Sequence, residues 1–272
     1  MYSRKIKFIL LLIVLLPNLI FSSICQAGMQ EAFTAIKAGD FEKAISEIKP
    51  LADNGDAEAQ YYLGAMFSEG KGVAQSRNDA ATWFAKAAEQ GYSMAQYNLA
   101  MHYTHGLGVE KSADKALYWH KKSAENGFAY AQTTLAKKYV TGDGVAINYA
   151  EAVVWFTKAS EQGDADAQYS LGQFFFQGVE KKQDDKSAFL WWKKSADQGF
   201  VDSQFAVGHL YQDGRGTEQN FEKAYYYYLL ASQKGHADAI KNAEFVYARL
   251  PLTTTMRIQL EVSRLKNLQP NP

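Results

Sequence analysis

Glycine returns along this chain at an interval of 36 residues: Gly55, Gly91, Gly127, Gly163, Gly199 and Gly235. Five residues after each of the first five stands a glutamine, Gln60, Gln96, Gln132, Gln168 and Gln204. Self-similarity at one fixed period of this length is the mark of a solenoid of stacked supersecondary units, none of which buries its apolar face alone. Such an architecture presents long surfaces rather than a single deep cleft. It therefore directs the functional reading toward partner binding rather than catalysis.

The unit 56–91 serves as a template. At 100° per residue, Gln60, Leu63, Gly64 and Phe67 share one face of a helix A over 57–69, and Ala80, Trp83, Phe84 and Ala87 share one face of a helix B over 78–90. Between them, Gly70-Lys71-Gly72-Val73 breaks the helix, with the valine placed to plug the loop onto the core. Gly91 falls where a helix C-terminus takes a left-handed residue. The positions recur from unit to unit: Leu63, Leu99, Leu135, Leu171, Val207; Gly64, Ala100, Ala136, Gly172, Gly208; and Trp83, Trp119, Trp155, Trp191, Tyr227. The aromatic series invites a ligand-stacking reading. Because it shares a face with alanines, the sequence favours rings that fill gaps between units. Lys86, Lys122, Lys158 and Lys194 form a further series, read as lying opposite the buried face, where cations complement the end of helix B.

The motif Ala57-Glu58-Ala59-Gln60-Tyr61-Tyr62-Leu63-Gly64, followed by Gly70-Lys71-Gly72-Val73, an A-x-x-W and a K-A-A-x-Q-G, resembles the Sel1-like repeat, a branch of the tetratricopeptide-like solenoids. Gly106-Leu107-Gly108-Val109 and Gly142-Asp143-Gly144-Val145 repeat it. The resemblance implies an all-α, right-handed α-solenoid of helix-loop-helix repeats. It covers five units, 56–91, 92–127, 128–163, 164–199 and 200–235, after a capping half-repeat over 28–55. A partial repeat and a capping helix carrying Met256, Leu260 and Leu265 are expected over 236–272, with a frayed tail from Leu268. Repeat four departs from the pattern: Gly178-Val179-Glu180-Lys181-Lys182 loses the second glycine and displaces the valine, which makes this loop the expected soft point.

The first 27 residues read differently. Arg4, Lys5 and Lys7 precede the apolar run Phe8–Leu16, and Cys25-Gln26-Ala27 offers small residues at a cleavage site, so a signal peptide cleaved after Ala27 is expected. An uncleaved anchor and a lipidated Cys25 are the alternatives; Ile24 speaks against the second. Cys25 is the only cysteine, so the chain beyond it has no thiol for a disulfide, a metal or a nucleophile. Removing the three early basic residues leaves 26 Lys and Arg against 29 Asp and Glu, a net charge of −3. That balance gives no basic footprint for nucleic acid or for a membrane surface.

Catalytic and metal motifs are weak. Ser46/Lys49 and Ser112/Lys115 match the Ser-x-x-Lys spacing of penicillin-binding proteins and β-lactamases, but S-D-N and K-T-G are lacking and Ser112 is placed to cap helix B. His102 and His105 have helical i, i+3 spacing without a further zinc ligand nearby in the sequence. No catalytic residue, metal or cofactor is therefore assigned.

The resemblance implies an exported, non-enzymatic scaffold, periplasmic or secreted, that binds an envelope or host protein. An envelope enzyme acting on peptidoglycan or β-lactams and a self-assembling structural subunit are the rival readings. Helix-A positions opposite the buried set differ from unit to unit, as a surface shaped for one irregular partner would. They are Tyr62 and Met66; Asn98, Met101 and His102; Thr134, Lys137 and Lys138; Gln173 and Phe174; and His209 and Leu210. Together they form the expected partner face on the concave wall, with Tyr62, Met66, Phe174 and Leu210 as apolar anchors.

Overall fold

The computed structural model describes residues 27–180 and 182–268. Apart from Ala27, the expected signal segment lies outside these residues, as does the tail beyond Leu268. The described residues are helical and contain no strand. Helix α1 (27–38) and α2 (Phe41–Asp53) come first. Five hairpins follow: α3 (Ala57–Glu69) with α4 (Arg77–Glu89), α5 (Ser93–His105) with α6 (Ala113–Glu125), α7 (Ala129–Thr141) with α8 (Tyr149–Glu161), α9 (Ala165–Gln177) with α10 (Asp185–Asp197), and α11 (Val201–Asp213) with α12 (Phe221–Gln233). Helices α13 (Ala237–Tyr247) and α14 (Leu252–Leu268) close the chain. Two compact units divide at Phe128/Ala129, each a run of packed helical hairpins.

Local chemistry explains the regular lengths. Ser76, Ser112, Asn148, Asp184 and Asn220 each precede a B helix and accept the backbone N–H three residues on. Ser112 thus caps α6, as its position suggests. At the other end of the A helices, Gly70, Gly106, Gly178 and Gly214 take left-handed angles and stop the helix. In repeat four the residue aligned with Gly72 and Gly108 is Glu180, and it keeps the left-handed conformation at φ 59° despite its side chain. A small cavity of about 30 Å³ lies beside it, against Val179, Leu171 and Phe175.

Within each hairpin the small column admits a large partner. A methyl on Gly172 would stand 2.4 Å from Trp192 Cδ1, and one on Gly208 would stand 2.8 Å from Tyr228. The deeply buried column on helix B is accordingly Phe84, His120, Phe156, Trp192 and Tyr228. This corrects the sequence reading by one residue. Trp83, Trp119, Trp155 and Trp191 are only half-buried, although Tyr227 is buried. The lysines are not opposite them either: Lys86, Lys158 and Lys194 lie 3.7, 4.1 and 4.1 Å from the centroids of Trp83, Trp155 and Trp191, while Lys122 pairs with Glu125. A helix B packs on its own helix A and on the next, so its interior face is wider than one stripe and ends at the tryptophans.

The recurring glutamines are buried fasteners. Gln96 donates from Nε2 to the Ala88 carbonyl on α4 and accepts at Oε1 from Asn126 Nδ2 at the end of α6. Gln60 and Gln168 are held the same way, by Ala52 and Gln90 and by Ser160 and Gln198. The series fails at its last member. Gln204 donates to Ala196, but its Oε1 has no donor, because Lys234 stands where the other repeats place an amide and bonds Gly199 instead.

Helix α14 packs on α12 through Thr255, Ile258 and Val262. Met256, Leu260 and Leu265, which the sequence pattern assigned to this capping helix, point to solvent.

Candidate partner-binding groove

The expected partner face does not survive as one surface. Met66, His102 and Leu210 are buried, at 4%, 4% and 0% exposure. His102 meets Phe84 of the preceding B helix edge-on at 5.3 Å, and Phe174 meets Phe156 likewise at 5.8 Å. Helices α3, α5, α9 and α11 thus bury a second face against the helix before them, and Met66, His102, Phe174 and Leu210 belong to that second interface. Tyr62 is half-buried against Phe33 of α1. Burial holds the His102 imidazole below its ordinary value, partly offset by a bond from its Nδ1 to the Leu107 carbonyl. Asn98 and Met101 are half-buried, and Thr134 bonds the Tyr130 carbonyl on its own helix. Lys137 is exposed and bonds Asp166, while Lys138 pairs with Asp143.

Three of the expected residues do come together. In the second unit, α9, α11 and the start of α13 enclose a groove of about 390 Å³, to which Gln173, His209 and Leu210 contribute. Its depth has a specific origin. The column Tyr62, Asn98, Thr134, Ser170 ends in Ala206, whose methyl leaves the space open. Tyr169 and Phe205 form an aromatic floor. Gln173 Nε2 donates to the Tyr169 hydroxyl at 3.0 Å, fixing one wall. At the other end His236 stacks on Phe205 at 4.4 Å and caps α13, its Nδ1 accepting the Ala239 N–H at 3.2 Å. That arrangement leaves the ring proton on Nε2, 3.8 Å from an Asp202 oxygen. His209 Nδ1 lies 3.3 Å from Asp213. Burial, with the charges of Asp202 and Asp166, pushes the Tyr169 hydroxyl above its ordinary value. The groove can take a side chain with an apolar stem and a polar end. It contains no nucleophile paired with a base.

The Ser-x-x-Lys pairs also fail to assemble. Ser46 bonds the Lys43 carbonyl while Lys49 pairs with Asp53; Ser112 caps its helix while Lys115 lies over the Tyr103 ring. Among the described residues no group of three metal-ligating side chains occurs, and no helix is long and apolar enough to cross a membrane. Sequence reasoning missed Asp202, Phe205, Ala206 and His236. The available signals were the shrinking column at 206 and a histidine standing where α3 and α9 use Asp56 and Asp164 as caps.

Comparison with known proteins agrees with this geometry. The Sel1 repeat family model matches residues 57–92, 93–128, 129–164, 165–200 and 201–236. The chain belongs to the Sel1 repeat family. Among solved structures it is similar to a protective antigen of uropathogenic Escherichia coli displaying an SLR fold, at 30% identity and a TM-score of 0.72 over 88% of this chain and 53% of that one. This chain therefore spans about half the length of the E. coli protein. A Sel1 repeat protein from Oxalobacter formigenes is 28% identical, with a TM-score of 0.72 over 87% of this chain and 99% of that one. No curated protein matches the sequence. Sel1 repeat proteins are generally protein–protein interaction scaffolds, and this chain is an all-α helical-repeat solenoid of that family.

Proposed function

We propose that this Sel1 repeat protein is an exported adaptor that holds a protein partner in the groove between α9, α11 and α13. The observation that carries the reading is Ala206. Ala206, the smallest residue of its column, lines an aromatic-floored groove on the A-helix side of the second unit. Export is supported by Arg4, Lys5 and Lys7 ahead of an apolar run, and the E. coli relative is described as a protective antigen. Filling the groove with Ala206→Tyr is expected to abolish capture of the partner, while Tyr118→Ala on an exposed B-helix surface leaves capture intact. Equal capture by both variants would refute the site. N-terminal sequencing of protein from a periplasmic fraction is expected to begin at Gly28; a start at Met1 in the membrane fraction would refute cleavage after Ala27, and recovery from the cytoplasmic fraction alone would refute export.

A second reading, self-assembly, draws support from Leu252, Met256 and Leu260, an exposed stripe at i, i+4 and i+8 on α14. Light scattering across a concentration series decides it, a constant monomer mass being the refuting result.

A further inference from the structure

We infer that the occupant of the α9–α11–α13 groove is a basic protein segment whose lysine or arginine lies across the Tyr169 and Phe205 floor, with its charged head between Asp202 and Asp238. This rests on the groove being the partner site. The argument is charge and shape together. Asp202 and Asp238 line the groove, and no lysine or arginine does. Asp238 has only the exposed Lys241 at 3.7 Å on its own helix, and Asp202 only the long approach of His236 Nε2. Asp166, the residue aligned one repeat earlier, is already answered by Lys137. Asp202 thus has no lysine or arginine partner among the described residues, and Asp238 has only a solvent-exposed i, i+3 pair, whereas in the next cavity of the same unit Glu222 and Glu261 share the lining with Lys193, Lys223 and Arg257.

The floor suits the stem of such a side chain. Lysine and arginine cover apolar surface with their methylenes and keep the charged head in a polar rim. Tyr169 and Phe205 supply the first, and the carboxylates of the first turns of α11 and α13 supply the second. His236, its Nδ1 accepting the Ala239 N–H, stacks its ring on Phe205 at that end of the groove. An acidic segment would meet both carboxylates at close range, a juxtaposition that specific interfaces avoid.

The test uses the whole protein and three labelled peptides of equal length, alternating leucine with arginine, glutamate or serine, followed by fluorescence anisotropy. The arginine peptide is expected to bind, and the other two are expected not to. Asp202→Asn with Asp238→Asn is expected to weaken binding about tenfold or more, as loss of charge-assisted contacts does. Ala206→Tyr is expected to abolish it, and raised salt to weaken it. Circular dichroism checks folding, and Gln173→Trp replaces Ala206→Tyr should that variant unfold. Absence of arginine-peptide binding overturns the inference. Binding of the glutamate or serine peptide that Ala206→Tyr blocks and the Asp pair does not also overturns the basic occupant, yet leaves the groove as the site. Arginine-peptide binding indifferent to Ala206→Tyr overturns the groove itself.

Discussion

Lys234→Asn should make this protein more stable, although it removes a cation and an existing hydrogen bond. In the parent chain Gln204 Oε1 is buried and has no donor, and leaving a buried acceptor unmet costs about 1–3 kcal/mol. Asn126, the aligned residue three repeats earlier, shows what an asparagine does there. Its Nδ2 reaches both the Gln96 Oε1 at 2.9 Å and the Gly91 carbonyl at 3.3 Å. The backbones agree, φ −82° and ψ 14° at Asn126 against −99° and 12° at Lys234. Asparagine would therefore serve Gln204 and keep Gly199 satisfied. Against this stand the exposed Lys234–Gly199 bond, which asparagine would replace in kind, and a helix-terminus charge worth about 0.3–1 kcal/mol. The net gain is about 1 kcal/mol, which for a chain of this size moves the thermal midpoint by about 2–4 °C. Urea unfolding with an unchanged slope measures it. Lys234→Ala is the control, since it loses the lysine without supplying a donor. Adding Gln204→Met to Lys234→Asn should erase the gain, a coupling that a double-mutant cycle isolates. A Lys234→Asn protein no more stable than the parent, or an equal gain from Lys234→Ala, refutes the reasoning.

Glu180→Gly should stabilise by about 1 kcal/mol, because a side chain at φ 59° carries a steric cost that glycine escapes. Slower hydrogen exchange across 178–182 would accompany it, and no change would show that the loop bears no strain. Phe156→Ala should cost about 3–5 kcal/mol, as emptying a buried aromatic site does, and the half-buried Trp119 should cost distinctly less on the same change. An equal or larger loss at Trp119 would restore the tryptophans as the main core column. His102→Phe should flatten the acid limb of the stability curve. The folded imidazole has its affinity for protons lowered by burial, so below about pH 6.5 the unfolded chain takes up the proton first and stability falls with pH. If parent and variant lose stability in parallel between neutrality and pH 5, His102 titrates in the folded protein as it does in water.

The helices were legible because their ends are written in residue types with single physical uses. Apolar spacing bounded by glycines gave α3 to the residue and α4 to within one, the missed residue being the one that the Ser76 cap would have fixed. Periodicity also placed Gln60 and its successors on the buried face, though not their role in fastening one helix to two others. The errors share one cause. A helical wheel offers one apolar stripe, whereas a stacked helix has two neighbours, so Met66, His102 and Leu210 were assigned to solvent and Trp83 to the interior. The groove was harder still. It depends on what Ala206 lacks and on a histidine cap that brings α13's first turn beside α11's, and neither is visible in a pattern that records only what recurs.

The glutamine fasteners also bear on how such a chain grows. Gln60 takes its donor from Gln90 within its own 36-residue module and gives its own proton to Ala52, one module back. A copy of a module that carries both residues would arrive in register with its buried amide matched at both seams, whereas a copy of the last module would bring the unmet Gln204 Oε1 with it. Duplication of the earlier modules can therefore lengthen the array without opening an unpaired polar group. The proposed groove would not travel with a copied module, since it combines Ala206 of α11 with the first turn of α13.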